Sequence, residues 1–358
     1  MSATEYDARD AHPPTDASAP AVPTHSFNFT GTGSEYSRIW IVNLLLSLVT
    51  LGIYSAWAKV RTERYLYGHT EVAGGRFEYH GEPIPILKGR LLAVGLLLIY
   101  VLASEFVPLL GAALAIVLLI ATPVIIVRAF SFNARMSSWR GIRFGFDGTV
   151  GEAASSYLLM PIVGLLTLGL AFPYVWYRQA AFNVDGHRFG QTPFKMGATA
   201  GDFYKFAFIL SGFSILFVVF FSVLGGFSMA TSSAPGAAAG SGVLVLVVLG
   251  IAAYAVLVAL YTGLRFRAMF TDLQLGDNRV NNDVSIGRFV FIVVTNSIGL
   301  LLTLGLFYPW AKIRMTRFLM ESLTLEAVDL DNFVAAAESD TNAVGEELSS
   351  AFDLGVGI

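Results

Sequence analysis

Long apolar runs alternate with short polar stretches along this chain, and the alternation predicts most of its elements. Residues 27–33, FNFTGTG, alternate aromatic and polar positions and end in Gly, the pattern of a short strand and a turn. Residues 39–58 then run for 20 positions without Asp, Glu, Lys or Arg, enough to cross a bilayer core of roughly 30 Å. Residues 91–107 and 108–127 are two apolar segments divided by little more than Glu105 and Pro108, which reads as a tight membrane hairpin. Residues 206–224 and 243–264 predict a second long hairpin with a loop of small residues at its tip. Two further apolar runs occupy 153–177 and 289–311. The polar stretches between them, 59–90, 128–152, 178–205 and 265–288, carry alternating patterns such as GGRFEYHGEP and read as strand-rich.

One unit recurs. TLGIYSAWAKVRTERY, residues 50–65, returns as TLGLFYPWAKIRMTRF at 303–318 and, more loosely, as TLGLAFPYVWYRQAAF at 167–182. A polar motif, Gly-x-Arg-Phe, recurs with its Arg-Phe at 76–77, 143–144 and 188–189. If each TLG segment were one span, the seven spans would place 13 Lys and Arg on one side and 10 on the other, with no positive-inside bias. If each is a helical hairpin turning at Leu-Gly, all 23 lie on one side. The hairpin reading follows from that count, although arms of about ten residues reach only about 15 Å and would be re-entrant or shallow. The fold expected is therefore an α-helical multi-pass membrane protein with internal repeats. Its membrane body covers 27–330, with TLG segments at 39–58, 153–177 and 289–311, long hairpins at 91–127 and 206–264, and a strand-rich cytoplasmic domain assembled from the segments between. Residues 1–26 read as a disordered tail and 331–358 as an acidic one, both cytoplasmic.

Composition narrows function mainly by exclusion. The 358 residues have a mean hydropathy of +0.63 and are 14% charged, against nearer ~25% in a soluble protein. The formal net charge of −3 offers no surplus for nucleic acid. There are no cysteines, so disulfides, thiolate metal sites and thiol catalysis are absent. The five histidines show no zinc-ligand spacing, and no P-loop, HExxH, Gly-x-Ser-x-Gly or dinucleotide fingerprint occurs. The expectation is a protein that is not an enzyme and takes no cofactor.

Two sets of residues remain as candidates. Asn43 and Asn296 lie seven residues before the Thr of their units, and with Ser47 and Ser297 they could line a polar path or simply join helices. Glu105, an acid within an apolar run, reads as the exposed tip of its hairpin. Trp57 with Lys59, Arg61 and Arg64, and Trp310 with Lys312, Arg314 and Arg317, put an aromatic just before basic residues. That is the pattern of an interface anchor, with contact to anionic head groups as its extension.

FNFTGTGSEYSRIWIVN, TLGIYSAWAKVRTERY, FEYHGEPIPILKGR and TLGLFYPWAKIRMTRF together resemble the YjgN-like family of bacterial inner-membrane proteins, over residues 27–326. The resemblance implies a multi-pass inner-membrane protein and carries no catalytic residue, substrate or cofactor with it. The middle copy departs from it, with Val175-Trp176 in place of Ala-Lys. Two functions stay open: a passive pore or uncoupled carrier, and a lipid-binding or membrane-scaffolding protein with re-entrant hairpins. Membrane lipids are the expected partners, with a homo-oligomer as a further expectation and no nucleic acid.

Overall fold

The computed structural model describes residues 22–231, 238–327, 329–330 and 333–334, with residues 225–231 and 238–246 described only as helix backbone. The chain makes one passage five times: a strand, two helical arms, a strand. β2 (Asn28–Phe29) leads into α1 (Gly33–Val49) and α2 (Ser55–Gly68), and returns in β3 (Thr70–Val72). β4 (Gly75–Tyr79) leads into α3 (Pro83–Phe106) and α4 (Pro108–Arg135), and returns in β5 (Ser137–Trp139). β6 (Ile142–Phe146) is followed by α5 (Val150–Ala154), a π-helical turn at Ser155–Leu159, α6 (Met160–Leu166), α7 (Phe172–Asp185) and β7 (His187–Phe189). β8 (Thr192–Lys195), α8 (Ala200–Thr231), α9 (Ala238–Phe270) and β9 (Leu273–Leu275) make the fourth passage. β10 (Asn278–Asn282), α10 (Ile286–Leu302), α11 (Tyr308–Glu321) and β11 (Leu323–Glu326) make the fifth.

With β1 (Thr24–Ser26) these strands form one eleven-stranded sheet in the order β1-β11-β10-β9-β8-β7-β6-β5-β4-β3-β2, and every pairing is antiparallel. β1 pairs with β11 and β2 with β3. Between them the Phe27 N–H donates to the Leu323 carbonyl at 3.1 Å. One extended segment thus joins both ends of the sheet into a nearly closed barrel, which leaves almost no free edge.

Antiparallel order gives the barrel two unlike rims. The tight β-turns all lie on one. Ala73-Gly74 and Arg140-Gly141 have positive φ at both residues, the type I′ pattern, while Gly190 and Gly276 have it at the first position, as in type II′. All five helical hairpins rise from the other rim. Their arms touch in sequence around it, and α11 packs on α1 to close the crown. The closure is tight: a Cβ on Gly33 would sit 2.5 Å from the Trp310 ring.

The barrel interior holds the main core. Val72, Trp139, Phe189, Leu275 and Leu325 are buried in one tier. In the next, Phe27, Phe77, Phe144 and Phe194 stack at successive centroid distances of 6.2, 6.3 and 6.3 Å. A barrel of this many strands has a wide lumen, and large aromatic side chains occupy it. The third Gly-x-Arg-Phe copy is not the counterpart of the first two. Phe77 and Phe144 lie on the second strand of their β-hairpins, Phe189 on the first, and Phe194 takes the matching place in the stack.

The TLG unit is a helix-to-helix turn with a definite mechanism. Thr50 Oγ1 donates to the Leu46 carbonyl (2.7 Å) and accepts from the Tyr54 N–H (2.9 Å), so one hydroxyl joins the end of α1 to the start of α2. Thr167 and Thr303 do the same with Val163 and Ala171, and with Gly299 and Phe307. Gly52, Gly169 and Gly305 donate back to Ser47, Gly164 and Leu300, the long bond of a Schellman cap. The turn needs two consecutive left-handed residues: Leu51, Leu168 and Leu304 have φ of 50–53°, and the glycines 90–94°.

The expected fold class requires correction. The chain is not a helical multi-pass body with an accessory strand-rich domain. The nearly closed eleven-stranded barrel is the central element, and only four described helices are long and apolar enough to cross a membrane: Pro83–Phe106, Pro108–Arg135, Ala200–Leu224 and Val247–Phe270. Strands of two to five residues are too short to announce themselves beside twenty-residue apolar runs, so hydropathy overstated the helical body. The boundaries also move. Thr24–Ser26, read as tail, is β1; α2 runs across the 58/59 boundary. Residues 1–21 of the N-terminal tail, most of the C-terminal tail and residues 232–237 of the small-residue loop lie outside the described residues.

Candidate functional site

The barrel interior is not completely filled. A chamber of about 470 Å³ remains inside it, walled by the Phe27–Phe77–Phe144–Phe194 stack and by Trp139 and Phe189. At the helix rim its lining turns partly polar, with Glu63 and Tyr67 from α2 and Lys312 and Thr316 from α11. Burial pushes the Tyr67 phenol up, and the Glu63 charge adds to the effect. At the turn rim, β11 delivers the following residues back across the opening. Leu330 and Phe333 line the chamber there, and Phe333 stacks on Phe189 at 5.6 Å. A volume of this size, with an apolar wall and a few convergent polar groups, has the form of a small-molecule site.

The residues singled out from sequence are placed elsewhere, Lys312 excepted. Asn43 Nδ2 donates to the Ala58 carbonyl (3.4 Å) and Asn296 Nδ2 to the Ala311 carbonyl (3.2 Å), each joining the two arms of its own hairpin. Asn296 Oδ1 also accepts from Arg314 (3.3 Å), whereas buried Asn43 Oδ1 has no partner. Ser297 Oγ donates to its own helix at Val293 O, and Ser47 is half-buried on α1. None of these four lines the chamber. Glu105 is exposed where α3 meets α4.

The interface residues divide by role. Arg64 Nη2 donates to the Gly81 carbonyl (3.2 Å) and Arg317 Nη2 to the Gly31 carbonyl (2.8 Å). Both acceptors lie where a strand passes into the next helix, so the two arginines clamp barrel to crown at matching places. Arg314 bonds Thr295 Oγ1 (2.8 Å) and lies 5.7 Å from the Phe291 ring centre. Trp57 and Trp310 are partly exposed, and Arg61 is exposed. Lys59 and Lys312 hold the same place in two copies, but only Lys312 reaches the chamber lining.

Sequence reading missed the chamber wall. Its signal was weak but present: an aromatic at the same strand position in Phe77, Phe144 and Phe194. The same reading also missed the meaning of the TLG leucines. Leu51, Leu168 and Leu304 are 95%, 95% and 93% exposed, at three equivalent tips. A left-handed Leu costs about 1–2 kcal/mol, and a fully exposed one gains nothing from water. Neither is offset by contacts with the described residues. The four long helices are likewise little covered, with 0–17% of their apolar windows buried within the molecule.

Comparison with known proteins fits this picture. The family model described as bacterial protein of unknown function (DUF898) matches residues 24–351. The chain belongs to this family. Proteins called inner membrane protein YjgN, from Escherichia coli O157:H7 and strain K12, are 34% identical over 157 residues. That match spans 42% of this chain and 38% of the E. coli proteins' own length. The protein of that name from Salmonella typhimurium is 26% identical over 366 residues, 86% of this chain and 90% of the relative. No solved structure matches. The YjgN-like resemblance read from the TLG and FEYHGEP segments is thus established, and with it membrane-protein status.

Proposed function

We propose that this family member is a lipid-binding membrane protein that holds an acyl chain in the barrel chamber. The supporting observation is the chamber itself: about 470 Å³, aromatic-walled, with Glu63, Tyr67, Lys312 and Thr316 gathered at the end facing the crown and Asn278 at the turn rim. In this reading α3–α4 and α8–α9 cross the cytoplasmic membrane and return, and the three TLG hairpins enter one leaflet from the same side. No Lys or Arg occurs between the arms of any hairpin, and this positive-inside bias supports a barrel on the cytoplasmic side. The passive-pore reading loses support because Asn43, Asn296 and Ser297 are engaged in hairpin and helix bonds, and neither they nor Ser47 line the chamber.

A photoreactive phospholipid, with the reactive group in its acyl chain, tests the proposal on full-length protein in nanodiscs. Cross-links are expected on β4, β6 and β8 as well as on the lipid-facing helices. Thr316→Trp, which fills the helix-rim end of the chamber, is expected to abolish the strand cross-links and leave the helix cross-links intact. Labelling confined to the helices of the wild-type protein would overturn the chamber assignment.

A further inference from the structure

A second, separate site lies on the outer surface, at the foot of α4. Arg128 and Arg135 on α4 face Arg188 of β7 across a groove of about 690 Å³, floored by Phe132 and Phe146. The one carboxylate in the lining, Asp147, is already engaged: Arg188 Nε lies 3.0 Å from Oδ1 and 2.9 Å from Oδ2. Arg188 is held further by the Gly190 carbonyl. Gly145 makes room for it, since a Cβ there would stand 2.7 Å from Arg188 Nε. Arg135 Nε donates only to its own helix, at Ser131 O (3.2 Å). Arg128 is exposed and has no hydrogen bond or ion pair among the described residues. The groove therefore carries two guanidinium groups beyond what its own carboxylate neutralises.

Its depth identifies the ligand. Arg128 is twenty residues along α4 from Pro108, about 30 Å at 1.5 Å per residue, which is the thickness of a bilayer's hydrocarbon core. With the hairpin tip at the far face, Arg128 stands at the level of the near-leaflet phosphates and Arg135 two turns beyond. Guanidinium groups match phosphate oxygens in bidentate geometry, and the aromatic floor suits the glycerol and upper acyl carbons. We infer that this groove binds the phosphate of an anionic membrane lipid. The inference rests on α3–α4 crossing the membrane, but not on the barrel chamber being occupied.

Thermal unfolding of the detergent-solubilised full-length protein, with added short-chain phosphatidylglycerol, tests it. The midpoint is expected to rise with phosphatidylglycerol, and the rise is expected to fall by at least half in Arg128→Gln/Arg135→Gln. Short-chain phosphatidylcholine is expected to give a clearly smaller rise. The Arg128→Lys/Arg135→Lys variant, which keeps charge but loses the fork, is expected to respond at an intermediate level and covers the case in which the Gln variant does not fold. An equal response to phosphatidylcholine, or an unchanged phosphatidylglycerol response in both variants, would overturn the site. A matching rise with inorganic phosphate alone would reassign it to a soluble anion. Thr316→Trp is expected to keep the full phosphatidylglycerol response, which separates failure of this site from failure of the chamber.

Discussion

The molecule has two apolar surfaces that face opposite ways. Inside the barrel, Phe189 is 1% exposed and packs on Trp139, Phe144 and Phe333. On the crown, Leu51, Leu168 and Leu304 are more than nine-tenths exposed. The first surface is stabilised by contacts within the protein and requires no bilayer. The second is stabilised by nothing in the protein. The contrast teaches that a hydropathy profile merges two quantities, apolar surface that folds the chain and apolar surface that places it.

The sharpest way to break the comparison is to cut into the barrel. Phe189→Ala removes a fully buried aromatic and is expected to cost about 3–5 kcal/mol, read as a lower denaturation midpoint in detergent and in nanodiscs alike. A loss seen only in nanodiscs would mean that the barrel core depends on the membrane. Leu168→Asp asks the converse. Asp tolerates left-handed φ better than Leu, so stability in detergent is expected to hold. In a bilayer, a buried Asp costs up to about 3 kcal/mol. Amide exchange around Leu168 in nanodiscs is therefore expected to quicken at least tenfold over wild type. Equally fast exchange in the wild-type protein would place the tip in water and remove the shallow-insertion reading.

How much of this was legible in the sequence follows from the range of each interaction. The TLG turn was legible because its bonds are local: Thr50 reaches four residues either way, and Gly52 five residues back. The charge count could then fold each segment into a hairpin without knowing its partners. The barrel was not legible as the central element. Phe77 meets Phe144, and Phe144 meets Phe194, across whole helical hairpins, and no strand among the described residues is longer than five residues. The basic residues were legible as a class but not in role. Spacing marked Arg64 and Arg317 as equivalent, and only the structure supplied their acceptors, Gly81 O and Gly31 O. The chamber was invisible for a further reason: a cavity is a property of side chains that fail to meet, which no sequence pattern records.

A smaller effect sharpens the boundary between barrel and crown. Asn43 and Asn296 make the same bond in two hairpins, but only Asn296 also accepts from Arg314. Replacing Asn296 with Ala should cost about 1–3 kcal/mol, because it removes both the bond to the Ala311 carbonyl and one of the two acceptors of Arg314, which keeps only Thr295 Oγ1. Asn43→Ala should cost less, since the variant also removes the unpartnered Oδ1. Equal costs in thermal unfolding would show that the Arg314 bond contributes nothing.

The smallest effect lies on the barrel side. Asp185 closes α7, and its Oδ1 accepts the Met196 N–H at 2.7 Å. Burial nevertheless raises its carboxyl above the ordinary value of 3.8, with the Met196 bond and Lys195 opposing the shift. Because the folded protein holds this proton more tightly than the unfolded chain, stability from this group is fully present below the unfolded value. It is lost as pH rises through the raised folded one. Asn in its place can keep the bond to Met196 and carries no charge to desolvate. Asp185→Asn is therefore expected to unfold at a slightly higher temperature than wild type at pH 7. The difference should shrink towards zero as pH falls well below 3.8, where the unfolded wild type becomes protonated as well. A difference that stayed constant across that range would mean that burial of the charge is not what separates the two proteins. The effect would then belong to packing around Met196.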